Sequence, residues 1–207
     1  SNNASLEKLP DNARIGTSSL RRKAQLLAFR PDFKILDLRG NLDTRLKKLE
    51  TDDMDAIVVA HAGLLRMNYT GQISQIIPFD IMLPAVGQGS LCIEIRKDDA
   101  RIEKIVSGIN DSQTRVAVEA ERSLLAKLQG GCQTPIGAYA QTQGKEICLE
   151  AIICTLDGDH AIRDKHSGPA KQAVKIGEEL AQRLLENGGK RILHEIRQEF
   201  QGRIDHI

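Results

Sequence analysis

Three short stretches combine residue types that could do chemistry. Residues 16–22 read G-T-S-S-L-R-R, three hydroxyls followed by two guanidiniums. Residues 38–45 read L-R-G-N-L-D-T-R, with Arg39 and Arg45 on either side of a Gly-Asn turn. Residues 129–136 read Q-G-G-C-Q-T-P-I, a cysteine behind two glycines and just ahead of a proline. Hydroxyls donate hydrogen bonds to anions, and paired guanidiniums clamp carboxylates or phosphates bidentately. Cys132 stands where little can pack, because Gly130 and Gly131 lack side chains and Pro135 cannot continue a helix. Cysteine is usually a buried small hydrophobe. Either this one is incidental, or something must reach it closely.

The surrounding pattern says how these groups are positioned. Residues 13–18 read as a short strand, Ser19–Phe29 as a helix with Leu20, Ala24 and Leu27 on one face, and Phe33–Leu38 as a second strand. Leu42, Leu46 and Leu49 stripe a second helix. Ala56–Ala60 is a continuous apolar run, as expected of a strand covered on both faces. A helix from about Gly63 and another through Ile73–Ile77 follow. This alternation predicts an α/β unit with a parallel sheet. Residues 83–89, L-P-A-V-G-Q-G, read as a hinge or crossover, followed by a strand over Ser90–Arg96 and a helix up to about Ile109. The remainder predicts a smaller α+β domain: a helix over Ser112–Gln129 capped at Gly130-Gly131, three antiparallel strands near 137–142, 146–155 and 160–165, and helices over 169–186 and 190–199. Three segments result: 1–84, 85–110 and 111–207.

In open α/β sheets, ligands sit at the carboxyl ends of the strands. Thr17, Ser18, Ser19, Arg21 and Arg22 fall there, at a helix N-terminus whose free N–H groups favour anions. Arg39 and Arg45 flank the next strand-to-helix turn on the same rim. A serine before a helix is most often only an N-cap, and helix arginines are mostly solvated. Cations in a first turn, however, oppose the helix dipole, so paired arginines there are locally unfavourable unless an anion offsets the cost. Ten Lys or Arg against three Asp within 14–48 give that stretch a local charge of +7, while the whole chain carries +1. Aromatic content of 3% and the absence of Trp leave little for base stacking, so a polycarboxylate or phosphorylated small molecule fits better than nucleic acid. The end of a helix disfavours a thiolate at Cys132, which leaves an inert loop thiol open as a reading.

The four cysteines, at 92, 132, 148 and 154, form no C-x-x-C pair, and the five histidines are scattered. No metal site is therefore expected. Cys92, Cys148 and Cys154 read as structural residues within strands. Free thiols in a reducing, cytoplasmic compartment are the expectation. No apolar run is long enough for a membrane span, and the start has no signal-peptide pattern. There is also no initiator Met, which predicts a chain that begins inside a longer one.

Taken in order, G-T-S-S-L-R-R, L-R-G-N-L-D-T-R, L-P-A-V-G-Q-G and G-G-C-Q-T-P-I-G-A-Y resemble the motifs of the porphobilinogen deaminase (hydroxymethylbilane synthase) family, over residues 1 to about 200. The resemblance implies that Cys132 carries a dipyrromethane cofactor through a thioether. It also implies a periplasmic-binding-protein-like first domain, and a reaction that joins four porphobilinogens with release of ammonia and then hydrolyses off the linear tetrapyrrole. Porphobilinogen and its oligomers carry acetate and propionate arms. Thr17, Ser18, Ser19, Arg21, Arg22, Arg39 and Arg45 would then bind cofactor and substrate carboxylates, with Ala60, Gln88 and Gly89 lining the cleft.

This sequence departs from the family in one respect. The family's catalytic aspartate lies in an H-S-x-K-D context, and nothing here matches it. The expectation is a portion of a three-domain enzyme that lacks most of its first domain, with 85–110 as that domain's return segment. Such a portion should be inactive alone, and could self-associate through an unpaired edge at 90–96, where the family is monomeric. Two rival readings remain. A non-catalytic polycarboxylate-binding module leaves Cys132 idle, and a thiol-based regulator leaves the arginine pairs unexplained.

Overall fold

In a computed structural model, which describes residues 4–131 and 134–204, two three-stranded sheets are joined by the crossover. The first sheet is parallel, with β1 (Arg14–Gly16) between β2 (Lys34–Leu36) and β3 (Ala56–Ile57). Ile15 stands opposite Ile35 on one side and Ala56 on the other. The helices α1 (Leu20–Phe29), α2 (Leu42–Thr51) and α3 (His61–Arg66) follow the three strands in turn, the expected β-α alternation. Leu6, Ile15, Leu26, Phe33, Val58 and Met82 form this half's buried core.

The second sheet is antiparallel, in the order β4 (Ile136–Gln143), β5 (Glu146–Cys154), β6 (Ala161–Pro169). Its alternation is regular: Ile147, Leu149, Ala151 and Ile153 are all buried beneath α5 (Ser112–Lys127) and α6 (Ala173–Leu184). Gly177 lets α6 approach α5, since a Cβ there would stand 2.3 Å from the Ala120 carbonyl oxygen. A last helix, α7 (Lys190–Ile204), adds Ile192, Leu193 and Ile196 to the same core. The opposite face of β5 meets the first half through Ile152 and Cys154, which pack with Ala24 and Leu83. Burial there pushes the Cys154 thiol up to about 12.

Four expectations are corrected. Ile73–Ile77 is not a helix: a single 3-10 turn at Thr70–Gln72 precedes it. Pro78 disfavours helical backbone at the residue before it, and Gln75 Oε1 instead accepts from the Leu6 N–H at 2.7 Å. The segment 90–96 has the period-two pattern of a strand but no ladder partner among the described residues, so it forms none, and Leu91 is 80% exposed. Cys92 and Cys148 are exposed rather than structural. Finally, α5 does end in a Schellman motif, but its left-handed residue is Gln129 (φ 51°), not a glycine. The Gln129 N–H donates to Ala126 O and the Gly130 N–H to Leu125 O, the paired bonds that define that cap. At Gly130 the space is close: a Cβ would stand 2.6 Å from Ile136 Cδ1 and 2.7 Å from Leu125 Cδ1, so those side-chain ends would have to shift. The helix α4 (Ala100–Ser107) is present as expected, with Asp99 accepting the Ile102 N–H as its cap.

Candidate anion-binding site

The first hydroxyl group is built by the end of β1. The Thr17 N–H donates to Leu36 O at 2.9 Å, continuing the ladder one residue past the strand. Ser18 then bridges to the second strand's exit, donating to Leu38 O at 2.6 Å and accepting the Leu38 N–H at 3.0 Å. This double bond fixes the G-T-S-S turn beside Arg39. Ser19 occupies the N-cap of α1, yet its side chain makes no capping bond. Its hydroxyl and the first N–H groups of α1 are thus left for another acceptor, against the ordinary expectation for a serine there.

Arg21 is 6% exposed and donates to Leu83 O at 2.7 Å and to Gln88 Oε1 at 3.2 Å. Burial, with the neighbouring Arg22 charge adding to it, lowers its guanidinium to about 10, so it stays charged at neutral pH. Arg22 donates to Val58 O at 2.8 Å. Its pKa is also lowered, first by burial and then by the charge of Arg45. Among the described residues, none of Arg21, Arg22 and Arg45 forms an ion pair with a carboxylate. Three cations at the mouth of a parallel sheet, with Arg22 repelled by Arg45 and Arg21 by Arg22 and two of them desolvated, are costly by themselves. An anionic ligand is what such an arrangement favours.

The remaining predicted residues sit around this core. Arg45 Nε donates to Gly40 O at 2.9 Å. Arg39 is exposed and paired with Asp37 at 2.9 Å, so it meets a ligand only by exchanging partners. Ala60 is the N-cap of α3, two residues beyond the carbonyl that holds Arg22. Gly89 (φ 94°) and Gln88 lie in the exposed turn after Pro84. Arg21, Arg22 and Gln88 also border a cavity of about 720 Å³ whose other walls include Leu46, Ile57, Leu64 and Met82. Cationic groups beside an apolar wall suit a flat ring bearing acid arms. Cys132 lies outside the described residues.

Two residues in contact with this assembly escaped the sequence reading. Gln25 is 2% exposed; its Nε2 donates to Leu83 O at 3.1 Å and its Oε1 accepts the Leu83 N–H at 2.8 Å. Glu121, 6% exposed, accepts from Gly87 and Ala140. Glu121 had a readable signal, because it lies four residues after Ala117 and three before Leu124, on the apolar stripe of α5. No group of three or more His, Cys, Asp or Glu among the described residues could hold a metal ion.

Comparison with known proteins decides the family. Residues 1–104 match the family model for the porphobilinogen deaminase dipyromethane cofactor binding domain, and residues 115–186 match the porphobilinogen deaminase C-terminal domain. The chain belongs to the porphobilinogen deaminase family. It is 50% identical over 192 residues to the porphobilinogen deaminase of Desulforamulus reducens, 46% to that of Carboxydothermus hydrogenoformans, and 49% over 195 residues to that of Chlorobaculum tepidum. Each alignment covers 93% of this chain and 62% of the relative. The arginine rim falls wholly inside the match to the cofactor-binding domain, and position 132 inside the match to the C-terminal domain. A dipyrromethane with acidic side chains fits the donors present, which among the described residues are guanidiniums without carboxylate partners, the Ser19 hydroxyl and helix N–H groups.

Proposed function

We propose that this chain forms the carboxylate-binding and cofactor-bearing portion of a hydroxymethylbilane synthase of tetrapyrrole biosynthesis. In this reading four porphobilinogens are joined with loss of ammonia at each step, and the linear tetrapyrrole is then hydrolysed off. The dipyrromethane, held by a thioether to Cys132, supplies the pyrrole that accepts the first unit. The observation that carries the reading is the buried Arg21 beside Arg22 and Arg45, with no carboxylate partner for any of the three among the described residues.

The side chains take distinct parts. Arg22 and Arg45 face the carboxylate arms, and Arg21 holds its remaining N–H donors toward them while anchored to Leu83 and Gln88. Ser19 and the α1 N-terminus add neutral donors. Thr17, whose oxygen accepts the Ser19 N–H at 3.3 Å, keeps its own hydroxyl proton to donate, while Ser18 fixes the turn. Ala60 and Gly89 keep the walls small. Residues 1–84 act as one periplasmic-binding-protein-like half, 85–110 as a crossover to a further domain, and 111–207 as the unit that presents the cofactor. The setting proposed is cytoplasmic, in keeping with the unpaired Cys92, Cys148 and Cys154.

General acid–base help is worth about 10²–10⁴-fold in such proton-coupled steps, and the sequence holds no H-S-x-K-D motif to provide it. The 207-residue chain alone is therefore expected to bind porphobilinogen without consuming it. The deciding experiment is intact-mass analysis with peptide mapping across residues 123–145, before and after incubation with porphobilinogen or hydroxymethylbilane. Added mass equal to two linked pyrroles on Cys132 supports the proposal. A Cys132 that stays unmodified under every condition, or porphobilinogen consumption at an enzymatic rate, counts against the corresponding part.

A further inference from the structure

Only two charged side chains are buried among the described residues, Arg21 and Glu121, each 6% exposed. They come from different halves of the molecule and form no ion pair with each other or with any other described residue. Both end on the same short segment. Arg21 reaches Leu83 O and Gln88 Oε1 from α1. From α5, Glu121 Oε2 accepts the Gly87 N–H at 2.6 Å, and Oε1 accepts the Ala140 N–H of β4 at 2.9 Å. Burial raises the Glu121 carboxyl above its ordinary value, with the two N–H donors opposing that shift.

A carboxylate on the apolar stripe of a helix is a poor way to stabilise a core, because its desolvation is only partly returned by two neutral donors. What a carboxylate offers that an apolar residue cannot is a pair of acceptors set at a fixed angle. Here they join one residue of the second sheet to one residue of the crossover. Gly87 adopts φ 69°, the left-handed region that glycine enters without strain, and this turns the chain so that the next residue, Gln88, meets Arg21. The turn is closed behind it by the Gln88 N–H donating to Ala85 O at 2.9 Å.

We propose that Glu121 is a positioning residue for the arginine rim: it fixes the Gly87 amide on the second sheet and so places Gln88 against Arg21. The role of the rim rests on the function proposed above, whereas the placement of Gln88 by Glu121 does not. The second half of the molecule thereby sets the orientation of a cation in the first. Glu121→Ala removes both acceptors; Glu121→Gln keeps the volume and one acceptor, and should rescue part of the effect.

The test uses the full ¹⁵N-labelled chain with each variant. Amide exchange at Gly87 and Gln88, the Arg21 Nε–H resonance, and porphobilinogen affinity are followed together, with Leu149 in the middle of β5 as reference. Loss of a buried hydrogen bond should speed Gly87 exchange about tenfold in Glu121→Ala, with less change in Glu121→Gln. The Arg21 resonance should move in both, and Leu149 protection should hold. In a double-mutant cycle, Glu121→Ala and Gln88→Ala should weaken porphobilinogen binding non-additively. Unchanged Gly87 exchange, a stationary Arg21 resonance, additive losses, or equal loss of protection at Leu149 in both variants would overturn the proposal. If the unmodified chain binds no porphobilinogen, the functional reading fails, while the exchange and resonance measurements still decide the role of Glu121.

Discussion

Both halves contain arginine–carboxylate pairs, but they differ in the cations left at the mouth of the sheet. On the antiparallel sheet two arginines are neutralised at close range: Arg163 pairs with Glu150 at 2.7 Å and Arg183 of α6 with Asp164 at 2.5 Å. The core of that half is a continuous apolar cluster drawn from β4, β5 and three helices, with Ile162 of β6 packed against it. The parallel half has shorter strands, a smaller core, and three guanidiniums at its mouth with no acid partner among the described residues. One half holds the larger apolar core. The other leaves three cations unpaired among the described residues, which is where the proposed ligand would act.

Substitutions in the two halves should therefore fail in different ways. The largest effect on folding is expected at Leu180, fully buried on α6. Leu180→Ala should lower the unfolding free energy by about 2–5 kcal/mol, as for other buried leucines, when followed by urea denaturation. In contrast, Arg22→Gln should leave stability unchanged or raise it by a few tenths of a kcal/mol, because a first-turn cation is removed from the positive end of α1. The same variant should bind porphobilinogen about tenfold more weakly, the usual scale for losing one charged hydrogen bond. Calorimetric titration beside a thermal melt checks both halves of that statement, and a clear drop in melting temperature would erase the contrast. The smallest effect is expected at the α5 cap. Gln129→Gly should stabilise the chain by about 0.5–1 kcal/mol by relieving the left-handed backbone. Chemical denaturation of the variant should show a higher midpoint.

Much of this was legible in the residues. Alternation of apolar stretches with striped helices announced the parallel sheet, and the period-two pattern of 146–155 announced β5, because local pattern and tertiary burial agree in both. The rim arginines were visible since a first-turn cation conflicts with the helix dipole. Sequence reasoning failed where pattern and context part company. Ile73, Ile76 and Ile77 have helical spacing, but Pro78 and the bond from Leu6 to Gln75 override it. Leu91, Ile93 and Ile95 alternate as in a strand, yet a strand requires a neighbour, and none is present among the described residues. The tasks of Gln25 and Glu121 are set by Leu83 and Gly87, which lie 58 and 34 residues away, beyond the reach of any local pattern.

The crossover over 83–89, which the sequence reads as a hinge or crossover, is bonded from several sides. Leu83 is bonded through both its N–H and its carbonyl to α1, Pro84 O accepts the Ala138 N–H at 3.0 Å, and Gly87 is held by Glu121. A little upstream, Arg163 of β6 donates to Phe79 O and Asp80 O, both at 2.7 Å. Bonds arranged in parallel across so short a span share any load, and opening the seam means losing them together. The joint should behave as a weld, with the two halves moving together rather than about a pivot.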